Sequence, residues 1–563
     1  MLTDYIIKNE YEKDIEIYNE IKKRLYIEKE GEYISYDLNT KKEFKRFIKS
    51  LIIFEDYKKP NLRLTISSQL EFETKDKEIF RKIISFFPTE IILKIEENCN
   101  SIEELFISEI IDFFPSNIYG INIMNNNENI IQNICKNKSL YSIKTLAINT
   151  EYAEENILFK DFIPSCRNLQ ILNIAFLPQN FGNFLKNIKQ LKQLEFGCNI
   201  NSLNNFGKII EFDYTTLEKL EICLYLDEFD EFEEIEKADF SFIKKLKNLK
   251  SFYICFSLDD DNEEEVLPIG LIEALNSLNN LEFLKIENDN YCLKMENINK
   301  LKIKSLKTLI IDSKEYIDYE SIINYHSNLN CLFINYDEKK EDEIPKKIIF
   351  PQNIKEISLR LGGKYIVDGP PLLLDYLSAQ EKKANPVLMY NLFNFIQEKQ
   401  CSLIELNLAV HPMYGYFDYN FFLELSKCFK NLQCLKNFDL YAYNKKALMS
   451  GKKCDEWIKN IKYLKNLEQF ILRRYKMSLE ELTIFIDSIE NLEFLVKVQF
   501  LCSDNDFELD QIVKLINTKN FPPRLIYFNL LQNVKHKENQ SDSEDESFDD
   551  KLITRKYHYP IFK

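Results

Sequence analysis

The sequence predicts an α/β repeat solenoid, in which parallel strands form one face and helices or 3₁₀ turns the other. Three observations predict it. A short apolar word of the form L-x-x-L-x-L, clearest in Leu281-Glu282-Phe283-Leu284-Lys285-Ile286, recurs along most of the chain. Each copy is preceded by a stretch with helical spacing. At 563 residues the chain is also too long for a single compact core, whereas stacked coils can be added without limit.

The second anchor of the word falls at Leu146, Leu172, Leu194, Leu220, Phe252, Leu284, Leu309, Leu332, Ile357, Leu406, Phe438, Phe470, Val498 and Phe528. Two residues after each stands another apolar residue, from Ile148 and Ile174 to Phe500 and Leu530. Successive anchors lie 22 to 32 residues apart, the length of one strand plus one helical return, except for a single interval of 49. The returns repeat their own wording: Phe242-Ile243-Lys244-Lys245-Leu246-Lys247-Asn248-Leu249 is followed by Ala274-Leu275-Asn276-Ser277-Leu278-Asn279-Asn280-Leu281 and, later, by Ile461-Lys462-Tyr463-Leu464-Lys465-Asn466-Leu467. One such coil cannot bury its apolar side alone, so stability is expected from stacking.

This pattern resembles the leucine-rich repeat superfamily, particularly its long, intracellular, ribonuclease-inhibitor-like repeats. The resemblance implies a curved horseshoe with strands on the concave face and no catalytic residues of its own. The Asn that the family places three residues after the last anchor is kept at Asn199 and Asn533.

Four regions follow. Residues 1–60 read as an N-terminal helical cap, because Tyr11 to Leu25 and Glu43 to Ile53 carry apolar residues at helical spacing; a separate partner-binding module is the other reading. Residues 61–533 are the solenoid, interrupted at about 362–400, where Gly369-Pro370-Pro371 breaks the coil and Pro386 to Ile396 reads as a helix. That insertion is either a lid or a padded return. Residues 534–550 form an acidic segment without apolar periodicity, expected to be disordered, and 551–563 an aromatic tail. In the acidic segment Ser541, Ser543 and Ser547 each have an acid three residues on, resembling sites of acidophilic kinases.

Charge is local. The runs Asp227 to Lys237, Asp259 to Glu265 and Lys537 to Asp550 each carry a net charge of −6, together exceeding the chain's −16, so the remainder is close to neutral. Two of these runs follow adjacent strand copies, as does the weaker Asp337 to Glu343. They predict either an acidic edge that steers a basic partner, with Asp259, Asp260 and Asp261 at its centre, or solvated insertions. Nucleic-acid binding is disfavoured by a pI near 5.1 and scattered lysines.

Function classes narrow by what is missing. No stretch of 18 apolar residues is present, and the N-terminal residues lack a signal core, so neither a membrane span nor secretion is expected. Thirteen scattered cysteines without a C-x-x-C pair point to a reducing compartment, cytoplasmic or nuclear, with the cysteines as packing residues. The four histidines show no metal-ligand spacing, Ser450-Gly451-Lys452-Lys453 is only a fragment of a phosphate loop, and no cofactor, metal or enzyme activity is expected.

The expected function is therefore a protein-binding scaffold or adaptor. In the repeat frame, residues flanking the anchors point away from the core. These give Tyr253, Phe283, Lys285, Ile310 and Phe333, then the basic positions Arg360, Arg473 and Lys497. An alternative comes from Phe87-Pro88-Thr89-Glu90-Ile91-Ile92-Leu93-Lys94-Ile95, which resembles the start of an F-box, the helical module of ubiquitin-ligase receptors. Similar wording at Phe113 to Ile123 and at Phe162 to Ser165 makes it an early repeat instead. A structural subunit of a large assembly is the third class.

Overall fold

The computed structural model describes residues 33–53, 61–67, 74–86, 89–95, 117–124, 136–149, 162–177, 188–209, 216–226, 235–258, 265–289, 293–312, 319–336, 350–361, 387–398, 402–410, 419–441, 455–473, 477–501 and 518–531 except 526, with a few single residues between them. The chain divides into two compact units: Met1–Glu233 with Lys237–Phe252, and Glu234–Glu236 with Tyr253–Lys563.

In the first unit eight strands pair in chain order: Tyr33–Leu38 (β1), Asn61–Ser67 (β2), Thr89–Ile95 (β3), Ile118–Ile123 (β4), Thr145–Ile148 (β5), Ile171–Ile174 (β6), Gln193–Cys198 (β7) and Lys219–Leu226 (β8). Every pairing is parallel. Ser251–Leu258 (β9) is divided between the units. The second unit has a ladder of its own, through Phe283–Asp289 (β11), Thr308–Asp312 (β13), Cys331–Tyr336 (β14), Glu356–Leu361 (β15), Glu405–Val410 (β16), Asn437–Tyr441 (β17), Gln469–Arg473 (β18), Lys497–Leu501 (β19) and Tyr527–Leu531 (β20), again all parallel. A small parallel pair, Glu265–Val266 (β10) with Leu293–Lys294 (β12), lies between coils.

Parallel neighbours require a crossover of a dozen or more residues. The returns supply it as helices, including Lys41–Ile53, Thr74–Phe86, Ile200–Ile209 and Leu479–Ile489, or as 3₁₀ turns such as Ser241–Lys245 and Glu296–Lys300. Each unit thus has the α/β strand-and-return stacking of a solenoid-like repeat.

The anchors are the core. Leu284, Leu309, Leu332, Ile357, Leu406, Phe438, Phe470 and Val498 are consecutive Cα partners, and all are buried. So are Leu146, Leu172, Leu194 and Leu220 in the first unit, and so are the leucines three residues before the anchors, such as Leu169, Leu281 and Leu467. Three inward rows per coil therefore close against their neighbours. In the second unit successive helices Val387–Glu398, Tyr419–Cys428, Asp455–Asn460 and Leu479–Ile489 lie side by side. Aromatic contacts such as Phe393 with Phe421 and Phe422 with Trp457, each at 5.3 Å, bind their apolar faces.

One expectation changes. Lys41–Ile53 is the expected helix, but β1 before it pairs with β2 after it, so residues 33–53 contribute a strand and its return to the array, not helix alone. The physical reason is alternation: Tyr36 and Leu38 flank polar residues at period two and pair in register with Leu64 and Ile66. The F-box-like words Thr89–Ile95 are strand β3, with alternating burial, not the first helix of a helical module. In the insertion, Val387–Glu398 is helical as expected, whereas 362–386, the stretch Tyr11 to Leu25, the acidic segment 534–550 and the tail 551–563 lie outside the described residues.

Burial sets the sign of one pH dependence. His326 is buried; its Nε2 accepts from the Ile303 N–H at 3.2 Å and its Nδ1 lies 2.7 Å from the Ile322 carbonyl, so the neutral Nδ1–H tautomer joins two coils. Burial lowers its pKa, because a charged imidazolium there would lose its hydration, and the Ile322 contact partly opposes this. The unfolded chain then binds the extra proton, and stability falls as pH drops below about 6.5. Denaturant titrations at pH 7.5 and pH 5.5 test this: the acid-side loss should shrink in His326→Gln, and an unchanged loss would remove His326 as its cause. By the same method Leu332→Ala should lose about 2–5 kcal/mol, while Ile310→Ala, on the opposite face, should stay within about 0.5 kcal/mol.

Candidate functional site

Because strand side chains alternate, residues one before, one after and three after each anchor share the face opposite the core. In the second unit this open face carries Lys285, Ile310 and Phe333 as consecutive Cα partners, each half-exposed. Phe283 stands beside Lys285 on the same face of β11 and opposite Thr308. Lys285 Nζ lies 4.4 Å from the centre of the Tyr253 ring and 2.8 Å from Glu287 Oε1, while the Tyr253 hydroxyl donates to Glu287 Oε2. Tyr253, Lys285 and Glu287 thus form one closed cluster, adjoined by Ile310 and Phe333. Arg360, the Cα partner of Asn335, folds its guanidinium over the Phe333 ring at 5.0 Å.

The second expected basic position stands apart. Arg473 is three strands beyond Arg360 and holds Asp439, with Nη2 3.0 Å from Oδ2 and Nε 3.2 Å from both oxygens. Lys285 and Arg473 are therefore each paired with a carboxylate. Glu287 and Asp439 went unread, although the spacing Lys285-x-Glu287 places both ends on one face. Lys497 lies on the same face at the start of β19. The residues Asp259, Asp260, Asp261, Ser541, Ser543 and Ser547 lie outside the described residues.

At the N-terminal ends of β14, β15 and β16 the row reads Cys331, Glu356, Glu405. Burial first, and then the Glu356 carboxylate beside it, push the Cys331 thiol up to about 12, which makes it a poor nucleophile at neutral pH. The buried Cys198 thiol is likewise raised by burial. The seven described cysteines are thiols, not disulfides, and no group of His, Cys, Asp and Glu among the described residues could hold a metal ion. No helix among the described residues is long and apolar enough to cross a membrane.

The open face of the first unit was not singled out in the sequence. Arg63 and Glu90, Cα partners on β2 and β3, are joined at 2.7 Å, and Arg63 and Lys144 flank the Tyr119 ring at 4.7 and 5.3 Å. Further along, Asn173, Glu195 and Glu221 are Cα partners on β6, β7 and β8. Lys219 reaches Glu221 at 2.7 Å. Burial, then the neighbouring Glu221 carboxylate, raise the Glu195 pKa, against a hydrogen bond from Asn173 and the charge of Lys219.

The chain matches no protein-family model and no curated protein sequence.

The raised Glu195 value carries a stability sign. The folded chain holds that proton more tightly than the unfolded one, so the associated stability is present at low pH and lost as pH rises through the folded value. Thermal denaturation of Glu195→Gln should give a midpoint above that of the parent at pH 7, with the gap closing near pH 4; a lower midpoint at pH 7 would show that the carboxylate is instead a net structural asset.

Proposed function

We propose that this chain is a non-catalytic protein-binding array of the leucine-rich repeat kind, curved with its strands inward, and that it holds an extended segment of a protein partner along the open face of the second unit. The observation that carries the reading is the row Lys285–Ile310–Phe333. Equivalent positions on the next three strands are Ser358, Asn407 and Asp439. The fold therefore tolerates polar residues in this row, and large apolar side chains at Ile310 and Phe333 cost solvation without being needed for stacking. Arg360 over Phe333 and the Tyr253 hydroxyl on Glu287 hold the surrounding rings in place, which lowers the entropy a partner must offset. In this reading the acidic sequence runs after β8 and β9 steer a basic partner, and the unreactive thiols suit a reducing compartment.

The ubiquitin-ligase alternative loses its motif, since Thr89–Ile95 is a strand of the ladder. Affinity purification of the tagged full chain followed by mass spectrometry tests the proposal. Phe333→Asp should strip a defined set of partners while the thermal midpoint stays near that of the parent, and an intact partner set would discard this face.

A further inference from the structure

The first unit carries a second, chemically different surface. Gly197 follows Glu195 by two residues on β7 and so faces the same open side, about 6.6 Å further along the strand. A Cβ built there would run into the Ala175 carbonyl oxygen and come 2.5 Å from Tyr225 Cε2. The Tyr225 ring therefore lies directly over the Gly197 backbone on the open face, and only glycine at this position permits it. The ring also lies beside that of Phe176 and nearly parallel to it, at 6.5 Å between centres and 23° between planes. The phenol remains 36 % exposed, one of the four large hydrophobic side chains in the described residues that are. The result is an aromatic shelf laid across the ends of β6 and β7.

Beside the shelf stand Glu195 and Glu221 on adjacent strands, about 4.8 Å apart. The two carboxylates share one lysine, Lys219, which bonds Glu221 and whose charge also acts on Glu195, so the cluster carries fewer cations than carboxylates. The surface thus combines an excess negative charge with a flat π-face within one side chain's reach. A phosphate-bearing ligand would be repelled here. An ammonium satisfies the charge as a compact, strongly hydrated point and gains less from the ring. A guanidinium is planar, weakly hydrated and forked, so it can stack on a ring and bond carboxylates in its own plane at once.

We propose that Glu195, Glu221 and Tyr225 take an arginine side chain from an extended basic segment of a protein partner, with the guanidinium bonded to the carboxylates and stacked on the Tyr225 ring. The charge complementarity of this surface, and of the acidic sequence Asp227 to Glu234 that begins two residues after Tyr225, names the occupant. The proposal rests on the reading of the array as a protein-binding surface, but on different residues in a different unit.

Fluorescence anisotropy with the full chain tests it. The probe is an end-capped, fluorescein-labelled peptide of alternating glycine and arginine, with lysine and citrulline counterparts, at physiological salt. The arginine peptide should bind; the citrulline peptide should not, and the lysine peptide should bind several-fold more weakly. Tyr225→Ala, Glu195→Gln and Glu221→Gln should each weaken arginine-peptide binding about tenfold, or about 1.4 kcal/mol. A thermal midpoint of Glu195→Gln at or above that of the parent excludes unfolding as the cause of its loss of binding. Phe333→Asp should leave the peptide affinity unchanged, so failure of the second-unit face is read separately, from its partner set. Absence of binding, equal affinity for the arginine and lysine peptides, or equal affinity of all variants, which is what general attraction to an acidic chain would give, overturns the proposal.

Discussion

Within each unit, successive coils are held together by a recurring backbone device. The carbonyl just ahead of each strand receives two N–H groups from the following coil: Glu282 from Lys307 and Thr308, Lys307 from Asn330 and Cys331, Asn330 from Lys355 and Glu356, and onward to Glu468 from Val496 and Lys497. The first unit repeats it from Lys144 through Gln170 and Lys192 to Glu218. A carbonyl has two lone pairs, and using both fixes where each strand begins relative to its neighbour. With that start fixed, the leucine and isoleucine anchors fall into register and stay dry.

The returns face a different difficulty, since irregular backbone between coils would bury unpaired carbonyls. Short polar side chains resolve it. Asn276 donates to the Lys300 carbonyl and accepts from the Lys302 N–H, Asn431 donates to Ile396 and Gln397, and Asn466 to Gln433. Ser305 and Ser402 do the same for Leu281 and Ile354. The recurring K-N-L and S-L-N-N wording therefore has two purposes, a leucine for the core and an amide or hydroxyl for the adjacent coil.

Once these constraints are met, the open face is released from folding, and its composition becomes informative. In the second unit it holds rings and aliphatic groups beside compensated charges. In the first unit it holds a carboxylate pair beside an aromatic shelf. Such side chains do not help coils stack, and the polar residues at Ser358 and Asn407 show that stacking proceeds without them.

The anchors, the strand and return alternation and the face on which Tyr253, Phe283, Ile310 and Phe333 stand were legible in the residues alone, because burial repeats with period two and the repeat with period near 28. The four earliest strands were less so: their copies are shorter on leucine, and a bulge between Ile91 and Ile92 breaks the register there. Sequence by itself therefore determined the repeat and its inward rows, which depend only on spacing along one chain. What only the tertiary structure decided is which charges cancel and which rings meet. Arg473 finds Asp439 thirty-four residues away, and Tyr225 reaches Phe176 across Gly197. Those pairs form between coils, where contact is set by the stacking distance and by side-chain reach, and neither quantity is written in the order of residues.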